Sequence, residues 1–471
     1  MKYLIRNIRL FVIVFAALFA LVIAGVVSQS SRARTTWLEA AGENKDALRS
    51  RYKTAGKIIS ADNVILAESD ERGQRRYAEN RELAQAALHL VGDYTHNISN
   101  TLESLWQDRL LGNSRGFLNQ LRLDIAGKGL LGDDLLLTVQ SDLMIAAHRA
   151  LSDKKGAIVI LNYQTGEVLA LVSCPTVDPG NVVEWKNIPD TALFNRALLG
   201  RYLPGSTFKI VTSAAFLGQT EIDRGLTVAC KGKEPLMPGG VFERYIMKGT
   251  HGTVDLEKAF TTSCNHFFGD VGINLGAEAL ERAAQAFGFN TGLALDRMKM
   301  AVSVCDIGHG DLAALSWASI GQAGGADIEC VTPMHLAMIA GAVANDGIMR
   351  QPFVVDKIRS PLGSVQTPPR SGDTVAVTDR ETAEKLAQMM RSVVTSGTGK
   401  NANVKGLDIR GKTGTADITD EKGELKTNNL FAGFIADRRT PIAIGVVLED
   451  SASGSAALVA GRLLRLAAGL K

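Results

Sequence analysis

Hydrophobic residues form one long uninterrupted run near the start of the chain and shorter runs further along. Residues 10–27 are 18 consecutive residues without a charge, just enough for a helix to span a bilayer. Lys2, Arg6 and Arg9 precede this run, and the polar segment 28–34 follows it. The pattern predicts an uncleaved membrane anchor. A cleaved signal peptide is the alternative, but the run is long for one and no convincing small-x-small cleavage site accompanies it.

The orientation of this anchor follows from its flanking charges. Basic residues next to a membrane span favour the cytoplasmic side. We therefore expect a short cytoplasmic tail, residues 1–9, and an extracytoplasmic location for everything beyond residue 34.

Residues 35–150, called the pedestal below, are polar and mixed, with short apolar runs that predict individual elements. These are a hairpin over 54–69 around Asp62-Asn63, helices over 81–90 and 97–111, a strand over 135–139 and a helix over 141–151. No nucleophile stands beside a candidate base in this region. The sequence predicts a supporting role for it.

The rest of the chain begins and ends with strand patterns. Residues 156–162 and 167–173 are apolar runs around a four-residue turn, which is a hairpin signal. Strands over 430–436 and 442–448 and a helix over 456–470 close the chain, and a mostly helical insert lies over about 205–390. Strands at both ends with helices between them predict an α+β fold, an antiparallel sheet flanked by helices.

The first candidate for chemistry is the segment Leu203-Pro204-Gly205-Ser206-Thr207-Phe208-Lys209. Pro204 and Gly205 predict a turn, and the apolar run after Lys209 predicts a helix that begins near Ser206. Ser206 and Lys209 are three residues apart and would share one helix face. A serine needs a neighbouring base to act as a nucleophile, and a buried lysine with a lowered pKa can be that base. An isolated S-x-x-K is common, and its serine is then only a helix cap.

Two further motifs follow in order. Ser263-Cys264-Asn265 offers a hydroxyl and an amide that can point into one cleft. In Lys412-Thr413-Gly414-Thr415 we expect Lys412 to supply a fixed positive charge, and the threonine hydroxyls to bind a carboxylate. Gly414 leaves room for another backbone or a ligand, and the segment could form an edge strand.

The ordered set S-x-x-K, S-x-N and K-T-G is the pattern of penicillin-binding proteins and class A β-lactamases. The chain resembles a class B penicillin-binding protein, a membrane-anchored peptidoglycan D,D-transpeptidase of the short-pedestal type. Further likeness lies in Asn195-Arg196-Ala197, His251-Gly252, Gly321-Gln322 and Val331-Thr332-Pro333. The resemblance implies a penicillin-binding transpeptidase domain over 155–471 with a serine β-lactamase-like fold. It covers this domain strongly and the pedestal moderately, where Ala55 stands in place of a usual arginine.

The resemblance also implies the roles of individual residues. Ser206 would be the nucleophile, Lys209 its base, Ser263 a proton relay, Asn265 a ligand of the acyl chain and Lys412 an electrostatic anchor. Thr413, Gly414 and Thr415 would bind substrate, and the backbone N–H groups of Ser206 and Thr415 would form the oxyanion hole. The expected ligands are peptidoglycan stem peptides and β-lactams. The expected partner is a polytopic glycosyltransferase of the shape, elongation, division and sporulation family.

Composition excludes other classes. The net charge is +3 and aromatic residues make up 6% of the chain, so neither a basic patch nor a stacking surface for nucleic acid is expected. Five cysteines without a C-x-x-C pair and seven scattered histidines predict neither a disulfide framework nor a metal site. Met247 lies near where the family often has a second cysteine, so a local disulfide with Cys230 is not expected. No cofactor is needed for serine acyl transfer.

Three functions remain open at this point. They are a transpeptidase, a β-lactam-recognising serine hydrolase or sensor (a D,D-carboxypeptidase, β-lactamase or receptor), and a non-catalytic wall-assembly scaffold. The intact Ser206, Lys209 and Lys412 disfavour the scaffold. The segment 396–401 resembles a phosphate-binding loop, but Val394 and Asn401 break that pattern. We expect a turn at the cleft rim there.

Overall fold

The computed structural model describes residues 2–41, 52–129, 131–151, 153–182, 184–219, 225–231, 250–308, 311–369, 374–419 and 423–470. Met247 lies outside these residues. All five cysteines are free thiols and buried.

The strands are numbered in chain order: β1 Ile58–Ile59, β2 Ile65–Ser69, β3 Arg75–Tyr77, β4 Asp134–Leu137, β5 Gly156–Asn162, β6 Val168–Cys174, β7 Val228–Cys230, β8 Gly252–Val254, β9 Ala294–Leu295, β10 Met298–Lys299, β11 Val304–Cys305, β12 Glu329–Cys330, β13 Ile348–Met349, β14 Val355–Arg359, β15 Val365–Gln366, β16 Val375–Ala376, β17 Ile409–Thr419, β18 Leu425–Ile435 and β19 Ile442–Leu448. The α-helices are Lys2–Ala41, Arg81–Val91, Leu102–Leu105, Gln107–Leu110, Phe117–Ile125, Ser141–Leu151, Asp190–Leu193, Arg196–Leu199, Lys209–Gly218, Leu256–Thr262, Asn265–Ala286, Leu312–Ala318, Pro333–Ala344, Arg380–Thr395 and Ser455–Ala467.

A five-stranded antiparallel sheet of order β17-β18-β19-β5-β6 forms the centre of the C-terminal region. Its inner strands β5 and β19 are almost wholly apolar and are buried except at Asn162, the last residue of β5, as expected for strands covered on both faces. The helices Pro333–Ala344 and Ser455–Ala467 pack on β19, and Arg380–Thr395 packs on β17. The predicted α+β class is confirmed. β17 carries the K-T-G segment and lies at the edge, as expected.

Most elements predicted from the sequence are present. The hairpin over 54–69 is found as β1 paired with β2, with Asn63 in the left-handed region at φ 63°. The predicted helices over 81–90, 141–151 and 456–470 correspond to Arg81–Val91, Ser141–Leu151 and Ser455–Ala467. The predicted strands over 430–436 and 442–448 lie within β18 and in β19.

The helix predicted over 97–111 is wrong. His96 and Asn100 have left-handed φ values of 56° and 63°, and only Leu102–Leu105 and Gln107–Leu110 are helical. The Asp93 carboxylate accepts backbone hydrogen bonds from Asn97 and Ile98 at 3.2 and 3.0 Å. Such local side-chain bonding offers the backbone an alternative to the helix.

The second sheet has an unexpected composition. Its order is β15-β14-β4-β1-β2-β3, so the pedestal strand β4 pairs with β14, which pairs in turn with β15; both come from the region after residue 350. Arg359 lies opposite Asp134 in this pairing, and its guanidinium binds the Asp134 carboxylate at 2.8 Å. The predicted mostly helical insert therefore also supplies two strands to the pedestal's sheet.

The N-terminal helix Lys2–Ala41 extends beyond the predicted span on both sides. Within it, Ile5–Gly25 is long and apolar enough to cross a membrane. This helix fits a membrane anchor by its length and composition.

Candidate active site

Ser206 lies in a tight turn pressed against β17. Gly205 has a left-handed φ of 51°, and a Cβ atom there would lie 2.5 Å from the carbonyl oxygen of Thr415, so only glycine fits. A single 3₁₀ turn, Gly205–Thr207, leads into the helix Lys209–Gly218. The serine therefore stands one turn before the helix that carries Lys209 and directly beside the K-T-G strand.

Lys209 is buried and held by the second motif. Its Nζ donates to Asn265 Oδ1 at 2.6 Å and to the Ser263 carbonyl oxygen at 2.9 Å, and it lies 3.3 Å from Ser263 Oγ. Ser263 ends the helix Leu256–Thr262 in a left-handed conformation, and Asn265 begins the next helix. This sharp corner aims a carbonyl, a hydroxyl and an amide at one amine.

Lys412 also contacts the hydroxyl of Ser263, which Lys209 contacts as well. Its Nζ donates to Ser263 Oγ at 3.0 Å and to the Thr413 carbonyl oxygen at 3.3 Å. Ser263 Oγ thus lies between two lysine amines. The Phe268 ring is 5.3 Å from Lys209 Nζ, and the Phe260 ring is 5.5 Å from Lys412 Nζ, within the range of a cation–π contact.

The electrostatics of this pair follow from burial. Both lysines have no exposed surface, and an ion pair to a carboxylate is absent for both among the residues that the structure describes. Burial, together with the charge of Lys412, holds the pKa of Lys209 well below its ordinary value. Burial lowers the pKa of Lys412 to about 7. The Lys412 amine therefore loses its proton more readily than an exposed lysine does, and its expected role as a source of positive charge stays a prediction.

The K-T-G strand lines the cleft with backbone and hydroxyl groups. A Cβ atom at Gly414 would lie 2.8 Å from the Pro204 carbonyl oxygen, so this glycine is required by close approach, as expected. Thr413 Oγ1 lies 2.6 Å from Thr398 Oγ1, and the Thr415 carbonyl oxygen accepts a hydrogen bond from Gln322 Nε2 at 2.8 Å.

These groups enclose a small cavity. It has a volume of about 130 Å³, and its lining includes Ser206, Ser263, Thr398, Thr413 and Thr415. A larger cleft of about 1010 Å³ begins beside Gln322 and Tyr202 and reaches the far end of β17 at Asp417. The catalytic and substrate-binding candidates from all three motifs therefore meet at one edge of the sheet.

Sequence reasoning missed several residues of this site. The two aromatic rings against the lysines carry no motif of their own, and their positions follow only from the helices that contain them. Thr398 belongs to the segment expected to be a turn at the cleft rim, and it lies there. Gln322 belongs to the dipeptide Gly321-Gln322 that resembles the family, but the sequence gives no sign that its amide reaches β17.

Comparisons with known proteins agree with this geometry. Residues 156–465 match the family model described as the penicillin-binding protein transpeptidase domain. The chain is 30% identical over 472 residues to the peptidoglycan D,D-transpeptidase PbpA of Mycobacterium tuberculosis, with 94% of this chain and 93% of that protein covered. It is 29% identical to PbpA of Mycolicibacterium smegmatis, with 89% of this chain and 90% of that protein covered.

Solved structures of penicillin-binding proteins are also similar to this chain. The ceftriaxone acyl-enzyme complex of penicillin-binding protein A from M. tuberculosis superposes with a TM-score of 0.78 at 27% identity, with 89% of this chain and 99% of that chain covered. The D,D-transpeptidase domain of a peptidoglycan glycosyltransferase from Eggerthella lenta gives a TM-score of 0.75 at 27% identity, covering 88% and 98% of the two chains.

Proposed function

The chain belongs to the penicillin-binding protein transpeptidase family, and from this premise we propose that it is a serine-type peptidoglycan D,D-transpeptidase. The observation that carries the proposal is the pair of buried lysines joined through Ser263 Oγ beside Ser206. A protonated lysine without an acidic partner is costly to bury, so burial favours its neutral amine. That amine is the base that a serine nucleophile needs.

In the first step Ser206 Oγ attacks the penultimate D-alanyl carbonyl of a stem peptide, and its proton passes to Lys209. The C–N bond to the terminal D-alanine then breaks. Ser263, within hydrogen-bond distance of both lysines, passes a proton to the departing nitrogen. The products are an ester on Ser206 and free D-alanine.

In the second step the amine of a neighbouring stem peptide attacks that ester. Its surplus proton returns through Lys209 and Ser263 to Ser206 Oγ as the ester bond breaks. A new peptide crosslink forms and the free enzyme is restored. The cleft of about 1010 Å³ beside the site offers room for the peptide chains.

Two sets of groups stabilise the substrate. Lys412 with Thr413 and Thr415 binds the terminal carboxylate, and Asn265 holds the amide of the acyl chain. The backbone N–H groups of Ser206 and Thr415 form the oxyanion hole. The Thr415 carbonyl accepts its bond from Gln322, so the backbone of this residue is directed to the open edge of β17, which supports that assignment. A β-lactam enters by the same route and acylates Ser206.

The nucleophile is tested by replacement of Ser206. Ser206→Ala should abolish covalent labelling by a fluorescent penicillin and abolish crosslinking, while circular dichroism and the melting temperature stay close to wild type. Thr212→Ser, a change on the following helix away from the cleft, serves as the control. Undiminished labelling of Ser206→Ala would refute the assignment.

The reaction itself is tested by product analysis. Purified protein with lipid-linked wall polymer should yield crosslinked stem peptides together with D-alanine. Release of D-alanine without crosslinks would instead identify a carboxypeptidase-type hydrolase, and hydrolysis of a β-lactam with rapid turnover would identify a β-lactamase.

The anchor and domain bounds extend the proposal. Residues 10–27 form a membrane span, the pedestal covers 35–150 and the transpeptidase domain covers 155–471. The basic residues before the span support a cytoplasmic N-terminus and an extracytoplasmic catalytic domain. External protease should digest the catalytic domain in intact protoplasts, and its protection there would reverse this orientation.

A membrane partner completes the proposal. A transpeptidase acts on glycan strands that another enzyme makes, and we propose a polytopic glycosyltransferase of the shape, elongation, division and sporulation family. Its contacts are the anchor and the pedestal around residues 54–77. The anchor contains small residues, which let another helix approach closely in lipid: Ala16, Ala17, Ala20, Ala24 and Gly25. The strand β3 lies at the open edge of the pedestal's sheet.

Two separate changes test this interface. Replacing 10–27 with an unrelated span and altering the β1–β2 hairpin should each weaken co-purification of the partner. Neither change should slow penicillin acylation of Ser206. Full retention of the partner by the double variant would rule the interface out.

A further inference from the structure

Three side chains that are metal ligands in other proteins meet beside the active site. Cys230 ends β7, His251 precedes β8, and Cys264 stands between Ser263 and Asn265. Pairing of β7 with β8 places Cys230 opposite Gly252 and so next to His251. The two sulfurs and the imidazole nitrogen all lie within 4.8 Å of one another.

Their spacing suits one tetrahedral ion. Zinc binds cysteine sulfur at about 2.3 Å and histidine nitrogen at about 2.0–2.1 Å, and tetrahedral angles then separate sulfur from nitrogen by about 3.6 Å. The distance from Cys230 Sγ to His251 Nδ1 is 3.6 Å. Both cysteines are buried and His251 is half-buried, so the three ligand atoms are largely shielded from solvent.

We propose that Cys230, His251 and Cys264 form a binding site for a thiophilic divalent cation of the zinc class. The ion takes two thiolates and one neutral imidazole, and a water molecule occupies the fourth position. Each thiol gives up its proton, so binding one ion releases two protons to solvent. The bound group, one divalent cation with two thiolates, carries no net charge and adds no repulsion to Lys209.

The other cysteines of the chain offer a contrast. Cys305 and Cys330 lie on neighbouring strands β11 and β12, but no histidine joins them in a candidate metal-binding group among the described residues. Cys305 is also a buried thiol on a two-residue strand. It is therefore a matched control for Cys230.

The site also has a structural consequence. Cys264 lies in the corner that aims Ser263 and Asn265 at Lys209, while Cys230 belongs to a separate two-stranded ladder. A bound ion would tie the two together. The spacing of cysteines and histidines along the chain predicted no metal site, because only the fold brings these three residues together.

The test uses the full-length protein in detergent, reduced with a phosphine, freed of metal and titrated with Cd²⁺ and Zn²⁺. We expect one Cd²⁺ per chain, a thiolate-to-cadmium absorption band, release of two protons and displacement of Cd²⁺ by Zn²⁺. Cys230→Ser, Cys264→Ser and His251→Ala should each weaken Cd²⁺ binding by more than the roughly 10- to 100-fold that loss of an outer-shell partner costs. Cys305→Ser should bind as wild type does.

Three results would overturn the site. They are the absence of Cd²⁺ binding to reduced wild-type protein, equal binding by the Cys230→Ser and Cys305→Ser variants, and a Cys230–Cys264 disulfide that forms in air while the reduced protein takes no metal. Penicillin labelling of metal-free Cys230→Ser protein, which keeps every proposed catalytic group, shows that the variant is folded. Should Cys264→Ser fail to fold, Cys230→Ser still decides the question.

Discussion

The molecule buries ionisable groups in two regions that are built in opposite ways. In the pedestal, the Arg75 guanidinium binds the Glu103 carboxylate at 2.7 Å with both side chains fully buried, and it also donates to the Gly56 carbonyl oxygen. In the catalytic region, Lys209 and Lys412 are equally buried, but their hydrogen-bond partners are neutral. Both amines contact the hydroxyl of Ser263. The first arrangement holds two charges in place, whereas the second lowers the pKa of two amines.

This difference distinguishes a pair of groups that holds the fold together from a pair that is suited to proton transfer. In a buried pair of opposite charges each charge stabilises the other, and removing one partner leaves a lone charge in a medium of low polarity. The two buried amines do the reverse, because burial disfavours the protonated form of both, and the charge of Lys412 further disfavours protonation of Lys209. Buried charge of the second kind costs stability and is characteristic of functional sites.

The largest effect that would test this contrast is on Lys209. Lys209→Met keeps most of the side-chain volume and removes the base, so penicillin acylation should fall by about 100- to 10 000-fold, the usual contribution of a positioned base. The melting temperature should stay equal or rise, because a costly buried amine is lost. Stopped-flow labelling and thermal unfolding measure the two. Acylation at the wild-type rate would mean that another group is the base.

The pedestal should respond in the opposite sense. Glu103→Ala leaves Arg75 buried without its carboxylate, and the loss in the free energy of unfolding should be about 3–5 kcal/mol. Denaturant unfolding measures it. The acylation rate of the protein that remains folded should be unchanged, and Glu82→Ala, at an exposed ion pair, should cost less than about 1 kcal/mol. Equal losses for the two variants would mean that the buried ion pair stabilises the pedestal no more than an exposed one does.

The smallest effect is in the pH dependence. Lys209 must be neutral to accept a proton, so acylation should fall as pH falls through its lowered pKa. Lys412 must be charged to bind the carboxylate, so acylation should also fall, by up to about tenfold per pH unit, as pH rises above about 7. Lys412→Arg should move this alkaline limb upward, since an arginine stays protonated. A rate that stays flat from pH 7 to 9 in the wild type would contradict a titrating Lys412.

The sequence predicted the parts of the site better than their contacts. The order of the three motifs was enough to nominate Ser206, Lys209, Ser263, Asn265 and Lys412, and the structure brings them to one cleft. Their roles stay predictions. Periodicity could not reveal that Ser263 Oγ lies between two lysines, since this depends on a left-handed residue at the end of a short helix.

The pairing of strands that are distant in the chain was the other feature that the sequence could not predict. Two apolar runs around a four-residue turn predicted the hairpin of β5 and β6, whose partners are adjacent in the chain. They could not predict that β14 pairs with β4, because a short strand carries no record of a partner more than 200 residues away. The helix predicted over 97–111 failed for a local reason, the capping of several backbone groups by Asp93.

The pairing of β14 with β4 makes the pedestal and the catalytic region mechanically continuous. β14 lies in the chain between the helix Pro333–Ala344, which packs on β19, and the helix Arg380–Thr395, which packs on β17. A partner that displaces the pedestal's sheet also displaces β14, unless the β4–β14 hydrogen bonds break. Such a displacement would reach the chain between two helices that pack on the central sheet, and one of these helices packs on the strand that carries Lys412.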